Sequence, residues 1–133
     1  MLNGALAGLV SITAEPLMPN PFVALCIGAV GGIIMYYGTG LLNSLKLDDV
    51  VGAIPVHMFA GIFGTLIVPL SNPDASFGIQ LLGIISICIF VFITSYITIL
   101  IIKMTMGLRI SEEAEKLGTD KAEVGVIAYS IRD

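Results

Sequence analysis

Residues 50–70, VVGAIPVHMFAGIFGTLIVPL, set the strongest constraint on what this chain can become. The stretch holds no carboxylate, lysine or arginine, and its single ionisable side chain is His57. Wound as a helix, its 21 residues reach roughly 31 Å at about 1.5 Å each, enough to cross the hydrocarbon core of a bilayer. By the same rise, His57 falls about 10 Å from one end, well inside the membrane. An ionisable group at that depth is costly and ordinarily faces a bundle interior or a water-filled path. Two roles fit it: a functional group lining such a path, or a neutral imidazole donating one hydrogen bond to a neighbouring helix. Pro55, two residues earlier, removes a backbone donor and is expected to kink or loosen the helix. Asp48 and Asp49 directly precede the stretch, where carboxylates cap free backbone N–H groups and complement the helix dipole.

The rest of the chain agrees with a membrane setting. Of 133 residues, 56% are hydrophobic and 12% charged, and the mean hydropathy is +1.00. Such a composition leaves room for three or four spans and a tail, and for no separate soluble catalytic domain. The net charge of −4 comes mostly from loops and tail, and no basic stripe suggests nucleic acid. Cys26 and Cys88 lie in apolar runs without a spacing motif, so they read as buried small hydrophobes. No nucleophile–base pair, metal-ligand cluster or phosphate loop points to an enzyme, and no cofactor is called for.

Taken in order, residues 1–14 are apolar but short, and suit a partial span whose Gly4 and Gly8 share one helical face. The first residues lack the positive charges of a signal peptide and are not read as a cleaved leader. Glu15, Pro16, Pro19 and Pro21 mark a loop. Residues 22–42 form the first full span, with a thin surface at Gly28, Gly31, Gly32, Gly38 and Gly40, and with Tyr36 and Tyr37 as interface-belt residues. Residues 50–70 are the second span, with Ala60, Gly61 and Gly64 as small surface; 71–76 is a polar turn; residues 77–102 are the third, tilted span. Within the third, Gln80, Ser86, Thr94, Ser95 and Thr98 are available for hydrogen bonds in the bundle.

Beyond residue 106 the chain is hydrophilic. A short helix is expected over 111–117, with Ser111 as its cap and Gly118 as its stop. The expected fold is all-α: a polytopic transmembrane helix bundle of three full spans, a partial first span, and a tail. Residues 1–106 then form the membrane part and 107–133 the tail. All six lysines and arginines lie at Lys46 or from Lys103 onward, which puts that loop and the tail in the cytoplasm of a multi-pass cell-membrane protein.

Four blocks carry a family resemblance. They are Asn3-Gly4-Ala5-Leu6-Ala7-Gly8-Leu9, Asp48-Asp49-Val50-Val51-Gly52-Ala53-Ile54-Pro55-Val56-His57, Gly61-Ile62-Phe63-Gly64-Thr65, and Gly107-Leu108-Arg109-Ile110-Ser111-Glu112-Glu113, with Gly118, Asp120 and Ala128-Tyr129 beyond. In this order they resemble the C-terminal part of the ammonium transporters, a family that includes methylammonium permeases and Rh proteins. The resemblance implies eleven spans, two pseudo-symmetric five-helix halves plus a last oblique helix, and a homotrimer with one pore per subunit. It implies a pore holding two hydrogen-bonded histidines, of which His57 matches the second. It further implies a cytoplasmic tail that receives a PII-type signalling protein.

The chain departs from this pattern. It matches only the last four spans, the first of them clipped, and it lacks the partner histidine, the external aromatic cation site and the phenylalanine gate. Met58 stands where the family usually has glycine, and Val124 and Val126 replace a histidine and a glutamate around Gly125. The expected function is ammonium transport as part of a transporter, acting on ammonium or ammonia in a lipid bilayer, as a homo-oligomer or together with a missing N-terminal part. The alternative is a non-transporting remnant or an accessory subunit that docks with such a part or with a homologue.

Overall fold

The computed structural model describes residues 2–15, 18 and 20–127. Pro16, Pro19 and the tail pair Ala128-Tyr129 lie outside them. Among the described residues, all regular structure is helical. The helices are α1 (Leu2–Thr13), α2 (Pro21–Ser44), α3 (Ala60–Ile67), α4 (Phe77–Thr105) and α5 (Glu112–Leu117). A π-helical segment, Ile54–Phe59, runs directly into α3, and a 3-10 turn, Val68–Leu70, ends it. Among the described residues two helices, Pro21–Ser44 and Phe77–Thr105, are long and apolar enough to cross a membrane; Leu2–Thr13 and Ile54–Leu70 are shorter apolar helices.

The chain divides into two units, Met1–Ile89 and Phe90–Asp133. In the first, α1, α2 and the Ile54–Leu70 helix pack together through small side chains. The buried core is Ala7, Val56 and Ala60, with Val10 and Met35 against it. Glycine lets the backbones approach. A Cβ at Gly8 would lie 3.0 Å from the Gly28 carbonyl oxygen, one at Gly31 would strike the Ser11 hydroxyl, and one at Gly64 would strike the Ser11 carbonyl. Ser11 is itself buried, and its hydroxyl shares its proton between the carbonyls of Ala7 at 2.9 Å and Ala60 at 3.3 Å. The second bond joins α1 to the start of α3. Asn20 caps α2, its Oδ1 accepting from the N–H of Phe22 at 3.0 Å, with Pro21 in the first turn where its missing donor costs nothing.

In the second unit, the rest of α4 ends at Thr105 and α5 follows. The Ser111 hydroxyl accepts from the Ala114 N–H at 3.2 Å, and Gly118, at φ +93°, stops the helix. Arg109 and Glu115 form an ion pair at 3.7 Å; both side chains are exposed, so the pair adds little stability. No residue of α4 is buried. A helix that is apolar all round and uncovered by its own chain suits contact with lipid or with further protein.

Three expectations are corrected. The stretch 50–70 is not one continuous helix: Val50 and Val51 are exposed in a loop, Gly52 takes φ +74°, and the helix begins only around Ile54. Pro55 therefore stands in the first turn and not in mid-span, and the turn that follows is π-wound, the Ala60 N–H reaching back to the Pro55 carbonyl. The hydroxyls of Thr94 and Thr98 serve their own helix and not the bundle, donating at 2.8 Å to the carbonyls of Phe90 and Thr94, the nearest acceptors in an apolar setting. Cys26 is exposed and Cys88 half-buried, because the chain covers neither helix on that side.

Gly64→Ala is expected to lower the stability of the detergent-solubilised chain by about 1–3 kcal/mol through overpacking against Ser11. Gly40→Ala, where no atom lies within 4 Å of the new methyl, should cause no loss. Denaturant unfolding followed by circular dichroism compares the two.

Candidate functional site

The His57 helix is started from outside itself. Asp49, half-buried in the preceding loop, accepts at Oδ1 from the Ala53 N–H and at Oδ2 from the Ile54 N–H, both at 2.8 Å. One carboxylate thus satisfies two of the free donors at the helix start, in the field that favours negative charge. Asp48 is exposed. The loop is held from α1, where the Asn3 amide donates to the Val51 carbonyl at 3.0 Å. Gly52 is required by its positive φ, and a Cβ there would also crowd the Asn3 amide, at 2.7 Å from its nitrogen. At the opposite end the Asn72 amide donates to Glu15 at 3.3 Å. The ends of α1 therefore fix both ends of the segment that carries His57.

Burial then decides which way the histidine faces. Pro55, Val56, Ala60, Gly64 and Val68 are buried, the last four at a spacing of four residues, and this face packs on α1 and α2. Pro55 and Phe59 fill the space that a side chain at Gly38 would take. His57 and Met58 are exposed, on the other side of the helix. His57, Met58, Gly61, Ile62 and Thr65 form one wall of a groove of about 310 Å³; Gln80, Gly83, Ile84, Ile87 and Cys88 of α4 form the other. No hydrogen bond to another described residue engages the imidazole. Among the described residues no cluster of three or more His, Cys, Asp or Glu could hold a metal ion.

The groove is apolar apart from the imidazole, the Thr65 hydroxyl, the Gln80 amide and the two sulfur atoms. An imidazole accepts at one nitrogen and donates at the other, so it can pass a proton between two partners on a line. Reading the sequence singled out His57 but did not bring Met58, Thr65, Gln80 and Cys88 to it. The available signal was spacing: Gln80, Gly83, Ile84, Ile87 and Cys88 recur as one helical face, and His57, Gly61 and Thr65 as another.

An apolar helix with a single histidine, packed through small residues among other apolar helices, suits a membrane setting. The model of the Ammonium Transporter Family matches residues 1–129. "Ammonium transporter Amt2" of Archaeoglobus fulgidus is 36% identical over 148 residues, covering 96% of this chain and 31% of the relative. "Ammonium transporter Amt1" of Haloferax mediterranei is 36% identical over 136 residues, with 97% of this chain and 26% of the relative covered. For the "Ammonium transporter" of Bacillus subtilis the values are 31% over 144 residues, 96% and 36%. The chain belongs to the ammonium transporter family, and it spans about a third or less of the length of these curated relatives.

Asp49→Ala removes both capping bonds and should cost about 1–2 kcal/mol of stability. Asp48→Ala, at the exposed neighbour, should cost less than half of that. Unfolding of the two variants side by side in the same detergent checks the difference.

Proposed function

We propose that this chain supplies one wall of an ammonium-conducting path, with His57 as its proton-handling group. The observation that carries this reading is that the only histidine of an ammonium transporter family chain turns away from the packed core and into an apolar groove. A bare ammonium ion crossing such surroundings faces a desolvation cost of several kcal/mol. Neutral ammonia beside an imidazole avoids most of it: the ring takes or returns a proton while the uncharged molecule passes. One imidazole cannot relay a proton along a path by itself. The family resemblance supplies the second histidine on an opposite wall, contributed by an N-terminal part of the protein.

In this reading α2, the Ile54–Leu70 helix and α4 cross the bilayer, α1 is a partial span, residues 1–106 are the membrane part and 107–133 a cytoplasmic tail. At 17 residues the Ile54–Leu70 helix is at the short end of what can span. Asp48 and Asp49 serve the start of that helix, and Pro55 shapes its first turn. The assembled form is a homotrimer, and the tail is the side on which a PII-type signalling protein docks. A second reading, a non-transporting subunit that docks with a separate N-terminal part or a homologue, is favoured by the open side of the groove and the uncovered surface of α4.

Methylammonium uptake by vesicles tests the proposal. The purified chain alone should take up none, because the groove has no closing wall. Co-assembly with the N-terminal part of a relative should give saturable uptake that His57→Ala lowers at least tenfold. Uptake indifferent to His57→Ala would overturn the role of the histidine. Saturable uptake by the chain alone would overturn the one-wall reading. For topology, Val124→Cys in a chain freed of Cys26 and Cys88 should resist impermeant thiol reagents added outside intact cells. Ready labelling there would reverse the orientation.

A further inference from the structure

We infer that Asn3 is a positioning residue for His57: its side-chain amide stands in for the backbone donor that Pro55 lacks, and so holds the π-wound turn that points the imidazole outward. This rests on the reading of His57 as the proton-handling group. The first donors of the histidine helix have named partners. The Ala53 and Ile54 N–H groups go to Asp49, and the Val56 N–H goes to the Gly52 carbonyl at 3.1 Å. Pro55 has no N–H, and a proline ring collides with a helical carbonyl four residues back. That carbonyl belongs to Val51. Gly52, at φ +74°, turns the chain beside it, and the Asn3 amide donates to it at 3.0 Å. The acceptor that proline leaves without a helical partner is thus met from α1.

The bond bears on the histidine through the winding of the turn. In an α-helix His57, three residues before Ala60, would lie about 60° round from it, at the flank of the packed face. The π turn over Ile54–Phe59 takes more residues per turn, so the same three steps rotate less and carry His57 away from Ala60. Val56 and Ala60 are buried and His57 is exposed, as this winding requires. Such turns are rare, and this one is tied on both sides to the same helix. Asn3 holds Val51 before it, and the Ser11 hydroxyl holds the Ala60 carbonyl after it at 3.3 Å. With both ties in place the surplus residue cannot pass out of either end. Releasing Asn3 frees the loop, and the turn can narrow to α by letting one residue slip back into it.

Two measurements on the full chain in detergent test this. His57 is the only histidine, so its modification by diethyl pyrocarbonate is read without ambiguity. Asn3→Ala should slow that reaction severalfold. Thr13→Ala, which removes a hydroxyl bond of 2.6 Å made within α1, should leave it unchanged. An unchanged rate in Asn3→Ala, or equal slowing by Thr13→Ala, would overturn the inference. This measurement reads the imidazole and not uptake, so its failure is distinct from a failure of the transport reading. The second is a double-mutant cycle of unfolding. Asn3→Ala should lower the folded-to-unfolded ratio about fivefold in the unaltered chain, and by less than about twofold in Pro55→Ala, where a backbone N–H returns to position 55. Equal losses in the two backgrounds would overturn the stand-in role. Should Asn3→Ala not fold, hydrogen exchange of the Asn3 side-chain amide decides: slow exchange in the unaltered chain and faster exchange in Pro55→Ala supports the inference, and equal exchange overturns it.

Discussion

Everything that gives His57 its direction depends on the junction at Ser11. There α1, α2 and α3 meet with almost no side-chain volume between them. Gly31 lies over the serine hydroxyl, Gly64 over its carbonyl, and the hydroxyl proton is shared with the Ala60 carbonyl. In an apolar medium water does not drive helices together, so association must come from close van der Waals contact and interhelical hydrogen bonds. Ser11 provides both. A bulkier residue at any of the three contacting positions would separate α1 from a neighbour and turn the His57 face.

The two ends of α1 complete that control. Asn3 holds the loop before the histidine helix and Glu15 meets Asn72 after it, so a helix too short to span comfortably still fixes the register of its neighbour. Between these clamps the Asp49 carboxylate sets where the helix starts. The start matters because rotation and start are linked: each residue of shift turns the imidazole by about 100°. With the start pinned, Val56 and Ala60 go to the core and His57 goes to the groove.

The helices were largely legible in the sequence because apolar runs bounded by prolines, glycines and charges leave little choice. The α2 and α4 runs and the Ser111–Gly118 helix are of this kind. Where the His57 helix begins was less legible. Val50 and Val51 are as apolar as the residues of the helix, and they stand in a loop held by the Asn3 hydrogen bond to the Val51 carbonyl, the positive φ of Gly52 and the Asp49 cap. The family was legible from ordered blocks such as Asn3–Leu9 and Gly52–His57, and the model match over residues 1–129 agrees with it. Of the candidate site, His57 stood out as the lone ionisable group of its stretch. Its neighbours across the groove did not. The α4 helix is apolar on all sides, so only the faint recurrence of Gln80, Gly83, Ile84, Ile87 and Cys88 marks the face that meets the groove.

That uniformity also explains where polar groups end up. A polar side chain in an apolar medium must find a partner or carry the cost of having none. Among the described residues no buried side-chain nitrogen or oxygen is left without a hydrogen bond. Ser11 uses neighbouring carbonyls, the threonines of α4 use their own helix, and Asn3, Asp49 and Asn72 close the loops. Each of these groups is spent on the fold. The imidazole of His57 is engaged by none of it, yet the packing of Val56 and Ala60 holds its backbone in one orientation. A polar group that the fold positions firmly and leaves chemically free meets the physical requirement for a site, since its hydrogen-bonding capacity remains for something that enters the groove.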